Sequence, residues 1–132
     1  LYAVKLLEPG RVKKARKAVE EHYNWQRERY GRAFEDMGLG VYTGEGGFYH
    51  WLELPDGMES SELNRRLFKR GAAILCASDC DMARPHSKDP GYVSPYTRFF
   101  RFSFGPLLPE RFESDIQLFS EVLEEYRIEI GH

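Results

Sequence analysis

The residues with the clearest chemical potential lie in residues 98–104, which read RFFRFSF. Arg101 is flanked there by phenylalanines, in a segment otherwise typical of an apolar strand. A guanidinium is permanently charged, pairs bidentately with carboxylates and is costly to bury without a partner. An extended conformation places Phe99, Arg101 and Ser103 on one face. Two interpretations stay open: Arg101 pairs with a structural acid or reaches water at a sheet edge, or it binds an acidic ligand.

A pair of glycines, Gly46 and Gly47, precedes a second apolar segment, FYHWLEL, at residues 48–54. Because glycine has no side chain, its backbone can approach a ligand closely, and it also suits a turn. No helical pattern follows the pair, so it is not a phosphate-binding fingerprint. The sequence alone is compatible with both a ligand contact and a simple turn.

Cys76, Cys80 and His86 could supply thiolate and imidazole ligands to zinc, with His50 as a fourth ligand from another strand. Paired Cys-x-x-Cys motifs are missing, however, and Cys76 is placed like the end of a buried strand, where cysteine acts as a small hydrophobe. We therefore predict no metal site. Nothing marks either thiol as having a lowered pKa, so a nucleophilic cysteine is not predicted. His50, inside an apolar segment, is predicted to be a core histidine.

A long amphipathic helix should position these segments from the N-terminal side. Residues 11–37 repeat apolar side chains at helical spacing within an arc of roughly 100°. These are Val12, Ala15, Val19, Tyr23, Tyr30, Ala33, Phe34 and Met37. A helix of this length would extend roughly 40 Å, so part of it should project from a domain of this size. Trp25, near the opposite side of the helix, is a candidate contact with something outside the chain.

The remaining pattern alternates strands and helices. Strand 48–54 is apolar on both faces and is expected to be covered on both. A helix over residues 60–70 should bury Leu63, Leu67 and Phe68, and it is followed by a strand at 72–76 and a long loop at 77–97. The arginine strand at 98–104 and a helix from Pro109 to about Tyr126 complete the chain. This order predicts an α+β fold with a small, mainly antiparallel sheet of about three to four strands, helices packed on it and a long helix before it.

The composition suits one domain over residues 1–132, with 42% hydrophobic and 14% aromatic residues to fill a core. A formal charge of −2 without a basic block argues against nucleic acid or a membrane surface as partner. Two cysteines are too few for a disulfide framework, and neither a secretory signal nor a membrane-spanning run is evident. Cytoplasmic localisation is expected. Because the chain begins at Leu1, a fragment of a longer protein is also an expectation.

The succession of segments resembles the C-terminal small domain of fold type I, class I/II aminotransferases that depend on pyridoxal phosphate. The likeness extends over most of the chain. Its motifs are the strand opening GGFYHWLEL at residues 46–54, KRGAAIL at 69–75 and RFSF at 101–104, between a long first helix and an amphipathic last helix. The loop with Arg84-Pro85-His86 is weakly similar to the valine-pyruvate aminotransferase branch.

The resemblance implies roles for two residues. In that family the arginine of this strand holds the α-carboxylate of the amino-acid substrate, and Arg101 occupies the matching position, while Gly47 would border the substrate. The parent enzyme would transfer an amino group between an amino acid and a 2-oxo acid. Its pyridoxal phosphate would be bound by a large domain, and the parent would be a homodimer. Residues 10–38 would form the interdomain helix and residues 41–132 the α+β body.

The chain also departs from the family pattern. Residues 76–80, CASDC, stand where the family usually has a Pro-Gly-(Ser/Thr)-x-Phe turn, so this wall of the active site differs. The six lysines lie in no context resembling the family's Ser-x-x-Lys cofactor segment. The chain alone is therefore expected to bind no cofactor and to be inactive. The alternative is a stand-alone α+β module that binds an acidic ligand or a protein partner.

Overall fold

The computed structural model describes residues 5, 7–86 and 88–131. Within these residues the helices are α1 (Pro9–Asp36), α2 (Ser60–Lys69) and α3 (Phe112–Ile130). The strands are β1 (Gly40–Tyr42), β2 (Tyr49–Glu53), β3 (Leu75–Cys76) and β4 (Phe99–Ser103). Short 3-10 helices cover Ala77–Cys80, Arg84–His86 and Pro109–Arg111. No helix of the described part of the chain combines the length and hydropathy that crossing a membrane requires.

The sheet has the order β1-β2-β4-β3, and each neighbouring pair is antiparallel. Strand β4 is therefore an inner strand, with β2 on one side and β3 on the other. The predicted α+β fold with a long first helix is confirmed. Strand β1 has no counterpart among the predicted segments, because three residues directly after a helix are too few for an alternating pattern.

The two faces of the sheet have different environments. Strand alternation places His50, Leu52 and Phe100 on one face, where they are buried under the helices. Tyr49 and Arg101 lie on the other face and remain partly open to solvent. The expectation that the β2 segment would be covered on both faces is therefore wrong. Aromatic residues fit a pleated surface on either side, so composition did not reveal which side was open.

The core lies between the sheet and all three helices. Its members from the helices are Tyr30, Phe34, Leu63, Leu67, Phe119, Val122, Leu123 and Tyr126. Phe68, predicted to face inward, is instead 75% exposed on the outer side of α2. The first half of α1 leaves the body, so Ala15 and Val19 of its apolar stripe are exposed. The predicted projection of this helix is confirmed.

An arginine fixes the second half of α1 to the start of α3. The guanidinium carbon of Arg29 lies 3.9 Å from the ring centroid of Trp25 and 4.4 Å from that of Phe112. Its Nη2 donates to the Pro109 carbonyl at 3.0 Å. The buried side chain of Gln26 donates to the Leu107 carbonyl at 3.1 Å. These contacts hold the segment that follows β4 against α1.

Candidate functional site

Arg101 lies in the middle of β4, opposite Trp51 of β2 and Leu75 of β3. Its side chain is half-buried, and its Nε atom is buried without a hydrogen-bond partner. No carboxylate of the described residues forms an ion pair with it. The interpretation in which Arg101 pairs with an acidic residue of the fold is therefore not supported. A half-buried guanidinium with an unsatisfied donor is suited to bind an anion from outside this part of the chain.

The neighbouring Arg98 provides an internal comparison. Its guanidinium forms ion pairs with Glu53 of β2 and with Asp56 in the following turn. Two carboxylates therefore neutralise Arg98 from within the fold. Arg98 follows Thr97 and precedes Phe99, whereas Arg101 lies between Phe100 and Phe102, and the structure also distinguishes the two arginines by their partners.

A cleft of about 640 Å³ opens beside Arg101 at the β3 edge of the sheet. Its walls are mostly apolar and include Ala72, Ile74, Leu75, Leu107 and Leu118. Arg70 and Arg111 also line it, but both already have carboxylate partners. Arg70 Nη2 lies 2.7 Å from Glu121 Oε2, and Arg111 Nε lies 3.5 Å from Asp115 Oδ1. Among the described arginines lining the cleft, Arg101 alone lacks a carboxylate partner.

Gly47 lies two residues before Tyr49, at the start of β2. Its φ of +86° falls in the left-handed region, which favours glycine. A Cβ atom built there would meet no heavy atom within 4 Å, so the requirement for glycine comes from the backbone conformation and not from crowding. This supports the turn interpretation. The ligand contact inferred from the resemblance stays a prediction.

The residues considered as zinc ligands, Cys76, Cys80, His86 and His50, do not form a cluster in the described structure. No group of three His, Cys, Asp or Glu residues in the described part of the chain is arranged to hold a metal ion. Both ring nitrogens of His50 are already engaged, since Nε2 donates to the Arg27 carbonyl at 3.0 Å and Nδ1 accepts from the Thr43 hydroxyl. Burial lowers the pKa of His50 to about 4, so the ring is neutral at pH 7. The prediction of a core histidine is confirmed.

The cysteines give no indication of a nucleophile. Cys76 is buried at the end of β3, and that burial raises the pKa of its thiol. A raised pKa reduces the thiolate fraction on which reactivity depends. Cys80 is exposed. A nucleophilic pair with histidine is therefore not supported.

In the long loop between β3 and β4, the buried carboxylate of Asp81 connects residues from different parts of the loop through hydrogen bonds. Asp81 is buried and accepts hydrogen bonds from the Tyr92 hydroxyl at 2.7 Å and from the Ala83 amide at 2.9 Å. These hydrogen bonds hold the pKa of Asp81 below its ordinary value. The sequence predicted the loop but not this buried carboxylate, because nothing in the residue pattern distinguishes Asp81 from the exposed Asp79 two residues before it.

The lysines do not form a cofactor site. All six are exposed, and none lines the cleft beside Arg101. They are Lys5, Lys13, Lys14, Lys17, Lys69 and Lys88. A lysine that reacts with a carbonyl cofactor usually lies in a desolvated pocket or beside another cation. None of the six lysines is therefore placed to react with pyridoxal phosphate.

Neither a protein-family model nor a curated protein sequence matches the chain. Solved structures do. A kynurenine aminotransferase from Pyrococcus horikoshii, crystallised with PMP, superposes with a TM-score of 0.72 at 21% identity over 92% of this chain and 28% of its own. An alpha-aminoadipate aminotransferase from Thermus thermophilus gives 0.68 at 19% identity, over 92% and 29%. A valine-pyruvate aminotransferase from Salmonella typhimurium gives 0.61 at 18% identity, over 79% and 26%.

These similarities concern the fold. The chain spans less than a third of the length of each of these three enzymes. Two of the structures contain pyridoxal-derived groups, PMP in one and a phosphopyridoxyl-leucine adduct in the other. The chain therefore has the fold of one part of pyridoxal-phosphate-dependent aminotransferases, which confirms at the level of the fold the resemblance indicated by its sequence.

Proposed function

We propose that this chain is the C-terminal, substrate-carboxylate-binding domain of a pyridoxal-phosphate-dependent aminotransferase that transfers an amino group between an amino acid and a 2-oxo acid. The observation that supports this most directly is Arg101, a half-buried guanidinium with no acidic partner among the described residues and with a buried, unsatisfied Nε. The fold likeness, with this chain covering about a quarter to a third of each solved enzyme, supports a part of a larger protein.

Arg101 would act by positioning the substrate. Its guanidinium donates two parallel hydrogen bonds to the α-carboxylate, which fixes both the position and the orientation of the amino acid. Such a clamp removes translational and rotational freedom before the chemical step. Gly47 would border the substrate at the start of β2, where its exposed backbone has no side chain to obstruct an approach.

The cofactor would be bound by the large domain of the parent, since none of the six lysines here is placed to react with it. When bound there, pyridoxal phosphate supplies the electron sink for amino-group transfer. This domain contributes the substrate clamp, and alone it is inactive. In the proposed parent, a homodimer located in the cytoplasm, the first half of α1 would run towards the large domain, because that half projects from the body.

Steady-state kinetics of the longer protein test the role of Arg101. The variant Arg101→Gln should lower kcat/KM by roughly 10² to 10³, which corresponds to a loss of about 3–4 kcal/mol and lies within the cost of truncating one side of a desolvated charge pair. Arg101→Lys should lie between this variant and the wild type, because a lysine keeps the charge but not the bidentate geometry.

Arg98→Gln is the matched control. Arg98 lies three residues away on the same chain segment, but it pairs with Glu53 and Asp56 inside the fold. Its loss should affect stability and leave kcat/KM near the wild-type value once folding is verified. Kinetics of Arg101→Gln close to wild type would exclude the proposed clamp.

A further inference from the structure

The open face of the sheet around Arg101 is aromatic. Tyr42, Tyr49, Trp51 and Phe99 share this face by strand register, and the ring of Tyr96 packs on Phe99. We refer to these five residues as the aromatic face. Trp51 and Phe99 stack with their centroids 6.5 Å apart, and Tyr42 lies 6.2 Å from Phe99. Three of the five, Tyr42, Tyr49 and Tyr96, are more than 40% exposed.

Arg101 lies within this face. Its guanidinium carbon is 5.2 Å from the ring centroid of Tyr49, and Trp51 is its direct neighbour across the β2–β4 ladder. An anion bound by Arg101 would therefore lie next to an exposed aromatic surface. A small ligand whose carboxylate is bound by Arg101 would therefore lie close to the exposed part of Tyr49.

The charges nearby disfavour a second acidic group on the ligand. Arg98 is paired with Glu53 and Asp56, and Arg70 with Glu121. Arg111 lies 3.5 Å from Asp115. A ligand with two carboxylates would have to displace one of these internal pairs to find a second cation on this part of the chain.

We infer that the Arg101 site selects amino acids with an aromatic side chain, whose ring lies against Tyr49 on the aromatic face. This inference rests on the proposed function, because it requires that Arg101 binds the carboxylate. Aromatic rings gain attraction from offset or edge contacts beyond the apolar area that they bury. Tyr49 is the specificity-determining residue, and Arg101 supplies binding common to all amino acids.

The binding of two simple acids to the 132-residue chain distinguishes the contribution of Arg101 from that of Tyr49. Propionate and 3-phenylpropionate share the carboxylate and differ in the ring, and their binding can be followed by NMR shifts of the β2 and β4 amides. We expect 3-phenylpropionate to bind about tenfold more tightly, the range that one good aromatic contact provides. Tyr49→Leu should bring the ratio of the two dissociation constants close to one, while Tyr49→Phe should preserve the tenfold ratio.

Two control variants distinguish a failure of the aromatic selectivity from a failure of the carboxylate-binding role of Arg101. Arg101→Gln should weaken both acids, and Phe68→Leu, which alters an exposed aromatic on α2, should change neither. Equal dissociation constants for the two acids, or an unchanged ratio in Tyr49→Leu, would overturn the aromatic selectivity and leave the carboxylate role intact. If neither acid binds, or if Arg101→Gln binds them as wild type does, the proposed function is overturned as well.

Discussion

His50 shows how one buried titratable group couples the fold to pH. The ring is 1% exposed and touches Phe34 and Phe104, with both nitrogens in hydrogen bonds. Its pKa is about 4 in the folded chain, mainly because burial disfavours the charged form, whereas the ordinary value is 6.5. Between these values the unfolded chain binds a proton that the folded chain does not. Stability must therefore fall as pH falls through this window.

We predict that the free energy of unfolding decreases by about 2 kcal/mol from pH 7 to pH 5 because of His50 alone. Urea unfolding at several pH values measures it. His50→Gln should be less stable at pH 7 but show a flatter pH dependence, and the other histidines are common to both proteins. Carboxyl groups with lowered pKa values, such as Glu62 at about 2, also reduce the free energy of unfolding when they are protonated, but only at lower pH. Parallel curves for the two proteins above pH 5 would contradict the prediction.

At the scale of elements, α1 has two halves with different roles. The second half packs Tyr30 and Phe34 into the core, while the first half is exposed. The transition falls near Trp25, whose ring stacks on Arg29. Arg29 in turn reaches Phe112 and the Pro109 carbonyl, so it connects α1 with the start of α3. The anchoring of the helix therefore depends on an arginine as well as on its apolar stripe.

We predict that Arg29→Gln destabilises the chain by about 1–2 kcal/mol. It removes the cation–π contacts with Trp25, Tyr30 and Phe112. It also removes the hydrogen bonds to the Pro109 carbonyl and to Gln26 Oε1. Arg32→Gln is the matched control on the same helix, since Arg32 is exposed and, among the described residues, pairs with Glu28 alone, at 3.5 Å. That pair should contribute less than about 0.5 kcal/mol. Urea unfolding compares the two variants, and equal losses would show that the Arg29 contacts do not anchor the helix.

The helices and the main strands could be predicted because their periodicity extends over many residues. The stripe of α1 and the runs of β2 and β4 define the fold class. Predictions were wrong or missing at single residues. Phe68 directly follows Leu67, which places it about 100° further round the helix, and it points to solvent at 75% exposure. No prediction was made for Gln26, which is buried and donates to the Leu107 carbonyl. A polar residue with one specific partner leaves no periodic signal.

The site was predictable only in part, for a related reason. A charge in an apolar strand indicated that Arg101 needs a partner, but Arg98, at the start of the same segment, carries the same charge. Only the fold brings Glu53 and Asp56 to Arg98 and brings no described carboxylate to Arg101. Nothing in the residue pattern indicated that the Arg101 face is open, because Tyr49 and Trp51 would suit a covered strand equally well.

At the scale of the whole molecule, the described chain is a two-layer structure with one face of its sheet left open. All three helices pack on the His50 side, and the other side presents Arg101 within the aromatic face. Exposed aromatic surface of this kind usually marks a binding site. Substrate recognition and cofactor chemistry would thus be divided between this domain and the rest of the parent. The lysines provide a direct test of that division.

We predict that pyridoxal phosphate and borohydride label no single lysine of the 132-residue chain selectively. Selective labelling requires a desolvated amine or a neighbouring cation that activates it, and all six lysines are exposed. Peptide mapping by mass spectrometry should find slow, dispersed labelling at rates close to that of N-acetyl-lysine amide under the same conditions. One lysine labelled much faster than this reference, with saturation at low cofactor concentration, would contradict the prediction. It would place a cofactor site on this chain and not on the proposed large domain.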